Sequence, residues 1–155
     1  MRKLMLILAV FGLAGSLLAQ EQMGTWKLNY AKSKLPPGMS TAKESIIVFR
    51  ESDPNTIEAT STDIQKDGSV VTAKWTTPKS GGIQSYQQGG PEKGTTIHAV
   101  VVDPSTIYNV YMQNGKQVFL MKVTYGKDFK TFTGTAKVTD PQGKTFDGMW
   151  IFEKQ

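Results

Sequence analysis

Turn signals recur along this chain roughly every ten residues, and the residues between them alternate in polarity. The signals are Asp53-Pro54-Asn55, Lys66-Asp67-Gly68-Ser69, Asp103-Pro104-Ser105, Asn114-Gly115, Gly126-Lys127-Asp128 and Asp140-Pro141-Gln142-Gly143. Asn-Gly and Asp-Gly supply the positive φ angles of tight hairpins, and proline sits in the turns, where no ladder needs its missing N–H. The spacing predicts nine strands, at 24–30, 43–52, 55–65, 69–77, 94–102, 105–113, 116–125, 130–139 and 144–153. No window keeps a helical period. The chain reads as a string of hairpins.

Period-two alternation assigns each strand one hidden and one wetted face. In the C-terminal half Tyr108, Val110 and Met112 oppose Asn109 and Gln113. Phe119, Met121, Val123 and Tyr125 oppose Lys122 and Thr124. Phe132, Gly134, Ala136 and Val138 oppose a row of Thr and Lys137, and Phe146, Gly148, Trp150 and Phe152 oppose Asp147 and Glu153. Consecutive antiparallel strands leave two bare edges unless the sheet curls shut. A two-sheet sandwich needs longer crossovers, and only 31–42 and 78–93 are long. The expected fold is therefore all-β, an antiparallel up-and-down barrel of about eight to nine strands. A barrel embedded in an outer membrane is not expected, because Lys122, Lys137, Asp147 and Glu153 stand where an apolar lipid-facing band would have to be.

The first nineteen residues read differently. Met1-Arg2-Lys3 is basic, Leu4 to Ala14 is apolar or Gly, and small residues with Leu run to Ala19. That is the pattern of a secretory signal peptide cut after Ala19; the apolar run is short for a spanning helix and stops before Gln20-Glu21-Gln22. Residues 20–155 form the single expected domain, long enough to bury a core without disulfides. The chain has no Cys, which excludes disulfides, thiolate metal sites, a cysteine nucleophile and a lipid on sulfur. The expected product is exported, periplasmic or extracellular, soluble, monomeric and not a lipoprotein. Its basic residues are scattered lysines plus Arg50, without the clustered arginines of a nucleic-acid surface.

Gly24-Thr25-Trp26-Lys27-Leu28-Asn29 followed by Ala31-Lys32-Ser33-Lys34 resembles the opening of small secreted bacterial lipocalin-like proteins, and Gly-x-Trp on a first strand also opens the wider calycin barrels. The later series Asp103-Pro104-Ser105-Thr106-Ile107, Asn114-Gly115-Lys116, Gln142-Gly143-Lys144 and Phe152-Glu153-Lys154-Gln155 is similar in spacing to the same family. The resemblance implies an eight-stranded barrel with a possible internal cavity. The chain departs from the lipocalin pattern in having no Thr-Asp-Tyr motif, no disulfide and no clear Arg late in the barrel to stack on Trp26.

Chemistry is sparsely signalled. His98, the single histidine, lies on a strand with no carboxylate at strand spacing, which leaves no triad. Ser80, Ser85 and Ser105 lack a nucleophile-elbow context. The pairs Glu51/Asp53 and Asp63/Asp67 sit beside turns and read as solvated turn residues rather than paired catalytic carboxylates. Asp63-x-x-x-Asp67-Gly68 lacks the remaining ligands of a calcium loop. No cofactor and no metal are expected, and the protein is not expected to be an enzyme. The Gly- and Gln-rich stretch 78–93, with Tyr86 at its centre, is either a lid at the barrel mouth or a plain connector.

Size alternation on the inward face is the most suggestive feature. Gly134, Ala136, Gly148 and Ala73 alternate with Phe132, Phe146, Trp150 and Trp75. The small residues either relieve crowding in a filled interior or leave a void walled by aromatic rings. A void implies a small hydrophobic or amphipathic ligand touching Trp26, Trp75, Tyr108, Val110, Met112, Phe119, Met121, Phe132, Phe146 and Trp150. A filled interior implies a non-enzymatic interaction module of the cell envelope.

Overall fold

A computed structural model describes residues 20–37, 42–91, 93–139 and 142–155. The expected signal segment, residues 1–19, lies outside the described residues, as do Asp140 and Pro141 of the last predicted turn. The nine predicted strands are present, as β1 (Gly24–Leu28), β2 (Glu44–Asp53), β3 (Thr56–Ile64), β4 (Val70–Pro78), β7 (Thr95–Asp103), β8 (Thr106–Gln113), β9 (Lys116–Tyr125), β10 (Thr131–Thr139) and β11 (Thr145–Lys154). Two more, β5 (Gly82–Ile83) and β6 (Ser85–Gln88), lie in the linker 78–93, so the strand count is eleven rather than eight to nine.

Local chemistry places the turns. Asn114 and Gly115 take φ of 49° and 78°, the two positive angles of the tight hairpin between β8 and β9. Asp53, Asp67 and Asp103 each accept a hydrogen bond at Oδ1 from the N–H two residues on, at 2.8, 2.9 and 2.8 Å. An aspartate that closes its own turn in this way competes with strand continuation and ends it.

The strands form one antiparallel sheet in the order β5-β7-β8-β9-β10-β11-β1-β2-β3-β4-β6. Consecutive long strands pair with one another except β4 and β7, and β11 returns to β1 through Trp26↔Lys154 and Leu28↔Phe152. The two edges of the sheet, β5 and β6, are consecutive in the chain with only Gln84 between them. Gly82 and Ile83 pair with Ala99 and His98 of β7, whereas Ser85 and Tyr86 pair with Thr76 and Trp75 of β4. Residues 82–88 are thus one extended strap that bonds first to one wall and then to the other. The strap nearly closes the barrel. The linker is neither a free lid nor a featureless connector; its backbone groups are needed to satisfy both edges.

The core lies inside the barrel on β1, β9, β10 and β11. Trp26 is wholly buried, with Tyr125 and Phe132 around it at ring distances of 5.8 and 5.0 Å, and Phe132 stacks on Phe152 at 4.6 Å. Its indole Nε1 donates to the Gln22 carbonyl at 2.9 Å, tying the segment before β1 to the ring. The sequence shows no clear Arg late in the barrel to stack on Trp26; a lysine stands there instead, with the Lys154 amine 5.3 Å from the ring centroid. Outside, Lys27–Glu44, Lys74–Glu58 and Lys32–Glu153 make ion pairs on the wetted surface. Among the described residues no helix is long and apolar enough to cross a membrane.

Candidate functional site

Strand pairing decides which side chains meet inside, because directly opposed residues share a face of the sheet. Ala59 opposes Phe49 on one side and Trp75 on the other, and Trp75 opposes Tyr86. Asn109 opposes Ala99 and Met121, and Gly134 opposes Val123 and Trp150. All of these line one internal cavity of about 530 Å³. That volume is within the range of small-molecule sites. The void exists because Ala59 and Gly134 stand opposite large rings, and Ala99 opposite Asn109, and these small residues fill little of the space between them.

Four of the ten residues expected at the site, Trp75, Met121, Phe132 and Trp150, line this cavity. Trp26 lies in the packed core beside it rather than on its wall. Phe119 meets Tyr111 edge to face at 5.0 Å, away from the cavity wall. Phe146 stands beneath the Lys144 amine, 5.0 Å from its ring centroid, and is not on the wall either.

Tyr108, Val110 and Met112 are a correction. They occupy the outer face of β8: Tyr108 opposes the exposed Val100 and Lys122, Val110 opposes His98 and Leu120, and Met112 opposes the exposed Thr96. The inner face carries Ile107, Asn109 and Tyr111 instead. Alternation misleads here because both faces of TIYNVYMQ are largely apolar and the polar Asn109 points inward.

Asn109 is tolerated inside because it is bonded. Gln84 of the strap donates from Nε2 to Asn109 Oδ1 at 3.3 Å, and the Tyr86 hydroxyl donates to Gln84 Oε1 at 3.2 Å. The Tyr86 ring stacks on Trp75 at 5.5 Å and 24°. Burial, with Tyr111 adding to it, pushes the Tyr86 hydroxyl far above the usual phenol range; burial alone raises Tyr111. The cavity therefore has a flat aromatic wall and a short uncharged polar chain. Gln84 and Asn109 were not singled out as site residues from the sequence. A polar residue in the middle of an apolar strand, opposite a strap rich in Gln, was the available signal.

Charges stay at the rim. Of the residues lining the cavity only Lys79 and Asp103 are charged. Lys79, whose side chain is 16% exposed, bonds Glu51 at 2.9 Å. Asp103 Oδ1 accepts both the N–H and the hydroxyl of Ser105, at 2.8 and 2.9 Å.

The other candidate groups have local partners. His98 lies on the outer face of β7 with Nε2 3.2 Å from Thr96 Oγ1. Asp53 and Asp67 close turns, and Asp63 accepts from Ser45. Among the described residues no group of three or more His, Asp or Glu side chains could hold a metal ion. A second hollow, about 730 Å³ and lined by Tyr108, Val118, Leu120 and Met149 with Lys122 and Lys137, lies where the pairing of β9 with β10 stops at Ala136↔Met121.

No family model matches the chain, and no curated protein matches it. Solved structures do match. The wild-type fluorescent protein UnaG aligns with 88% of this chain and 99% of its own, at 12% identity and a TM-score of 0.55. A single-substitution mutant of UnaG aligns with 88% of this chain and 97% of its own, at 11% identity and a TM-score of 0.58. Lobster apocrustacyanin A1 aligns at 14% identity over 88% of this chain and 62% of its own, with a TM-score of 0.47. The two UnaG structures establish a shared fold, a nearly closed antiparallel β-barrel.

Proposed function

We propose that the protein is an exported carrier that binds one small hydrophobic or amphipathic molecule inside its barrel. The observation that carries this reading is the internal cavity of about 530 Å³, walled by Phe49, Trp75, Tyr86 and Trp150 and bordered by the bare backbone of Gly134. Apolar walls with a few convergent polar groups are the ordinary makeup of a small-molecule site. The barrel fold shared with UnaG is compatible with such a role. In this reading residues 1–19 direct export, the mature chain begins at Gln20, and the protein works as a soluble monomer without catalysis.

The test is native mass spectrometry and thermal shift of the mature protein against a lipophilic panel. One ligand per chain is expected, with Gly134→Leu abolishing it by filling the void. If no compound binds, or if Gly134→Leu binds as the parent does, the carrier reading fails. The intact mass of the exported chain checks the start at Gln20.

The alternative of an envelope interaction module assumed a filled interior, which the cavity argues against. One observation still favours an interaction role. Ile83, Val100, Val118 and Leu120 are exposed on the outer face of β5, β7 and β9, the last two flanking β8. Size-exclusion chromatography with light scattering separates the readings, since a carrier is expected to run as a monomer.

A further inference from the structure

The rim charges and the inner polar chain together restrict what the cavity can hold. A buried ion without a partner is strongly unfavourable, so a site for a carboxylate or an ammonium needs an available counter-charge. This interior offers none. Arg50, the single arginine among the described residues, is exposed on β2. At the rim Lys79 is ion-paired with the half-exposed Glu51, and Asp103 accepts the N–H and hydroxyl of Ser105 at Oδ1.

What the wall does offer is neutral. Gln84 reaches Asn109 through Asn109 Oδ1, which leaves the Asn109 amide N–H pair to donate elsewhere. Tyr111 brings a phenol whose raised pKa has burial as its only cause, with no hydrogen bond contributing. Trp75 and Tyr86, nearly parallel at 24°, provide a flat surface for a second ring.

Resting on the carrier reading, we propose that the ligand is an uncharged, flat aromatic molecule bearing a carbonyl or amide oxygen, stacked near Trp75 and Tyr86 and accepting hydrogen bonds from Asn109 and Tyr111. Fatty-acid anions and other carboxylates are discriminated against. Specificity here comes from leaving a charge without a partner, the repulsive half of selectivity.

The probes are 2-naphthamide and 2-naphthoate, which share a ring system and differ at the charged group. Binding to the mature protein at neutral pH is read by tryptophan fluorescence and by native mass spectrometry. The amide is expected to bind at least tenfold more tightly, and the acid to gain affinity as falling pH protonates it. Asn109→Leu and, separately, Tyr111→Phe are expected to weaken the amide at least fivefold while leaving unsubstituted naphthalene bound. Circular dichroism verifies that each variant keeps its strands, and Tyr111→Phe removes one oxygen without disturbing the Gln84–Asn109 bond.

Equal or tighter binding of the naphthoate overturns this inference and leaves the carrier reading standing. So does failure of the amide to bind while other neutral lipophiles do, or unchanged amide affinity in both variants. Failure of every compound, charged or neutral, overturns both.

Discussion

Gly134 and Gly148 look equivalent in sequence: both face inward on adjoining strands, and both alternate with large rings. Their surroundings are different. A Cβ on Gly148 would lie 2.5 Å from Trp150 Cη2 and 3.0 Å from Pro36 Cγ, so the indole of the same strand already occupies that space. The three atoms nearest to a Cβ on Gly134 all belong to Met121, Sδ first at 3.2 Å, part of a flexible side chain beside the cavity. Gly148→Ala is therefore expected to destabilise by about 1–3 kcal/mol through overpacking. Gly134→Ala is expected to be neutral or to stabilise by up to about 1 kcal/mol, because it restricts the unfolded chain at a position with ordinary strand geometry. Urea unfolding of the two variants checks the contrast; equal losses would mean that the indole does not fill the space over Gly148. The small residues thus perform two jobs that composition alone cannot separate, one seating a ring and the other bordering a void.

At the scale of elements, the strap holds the barrel shut through unusually close backbone contacts. Gly81 has φ of 85° and a Cβ there would lie 2.6 Å from the Ala99 carbonyl of β7; Gly89 has φ of 55° and a Cβ would lie 2.2 Å from the Thr72 carbonyl of β4. Neither approach admits a side chain, and neither φ suits one. Gly89→Ala is expected to release the β6 side, raising hydrogen exchange in residues 85–88 and 70–78 and leaving β8 and β9 protected. Gly81→Ala is expected to raise exchange in 82–84 and along β7. Unchanged protection in both variants would show that the glycines do not set the seal.

Most strands and turns were legible beforehand because their signals are local: Asn114-Gly115 needs positive φ, and Asp103 closes its turn on Ser105. The strap was not, since two paired residues and then three carry no period. Its partners, β4 and β7, lie on opposite sides of it in the chain. The facing of β8 was misread for a related reason. With Tyr, Val and Met on one side and Ile, Asn and Tyr on the other, burial is decided by Ala99 and Met121 across the ladder. The polar chain inside the cavity depends on both features and was hidden along with them.

The molecule as a whole joins exposed, carboxylate-closed turns to an interior holding neutral phenols, and that division determines its response to pH. Backbone N–H bonds from Asn55 and Ser105 hold Asp53 and Asp103 below the usual carboxylate range, and the hydroxyl and N–H of Ser69 do the same for Asp67. Bonds from Lys32 and Asn29 likewise lower Glu153. A depressed folded pKa contributes stability that is present above the unfolded value of about 4 and lost as pH falls through the folded one. Burial raises Tyr86, Tyr111 and Tyr125, so their contribution is present below the unfolded phenol value of about 10 and lost as pH rises toward the folded values. A calorimetric series is therefore expected to give a flat Tm between roughly pH 5 and 9, falling on both sides. Tyr→Phe replacement isolates the part played by the phenols. Tyr125→Phe and Tyr86→Phe remove the ionisable oxygen but keep the ring, so each is expected to soften the alkaline fall and leave the acid fall intact. An alkaline limb unmoved by both substitutions would refute a role for the buried phenols.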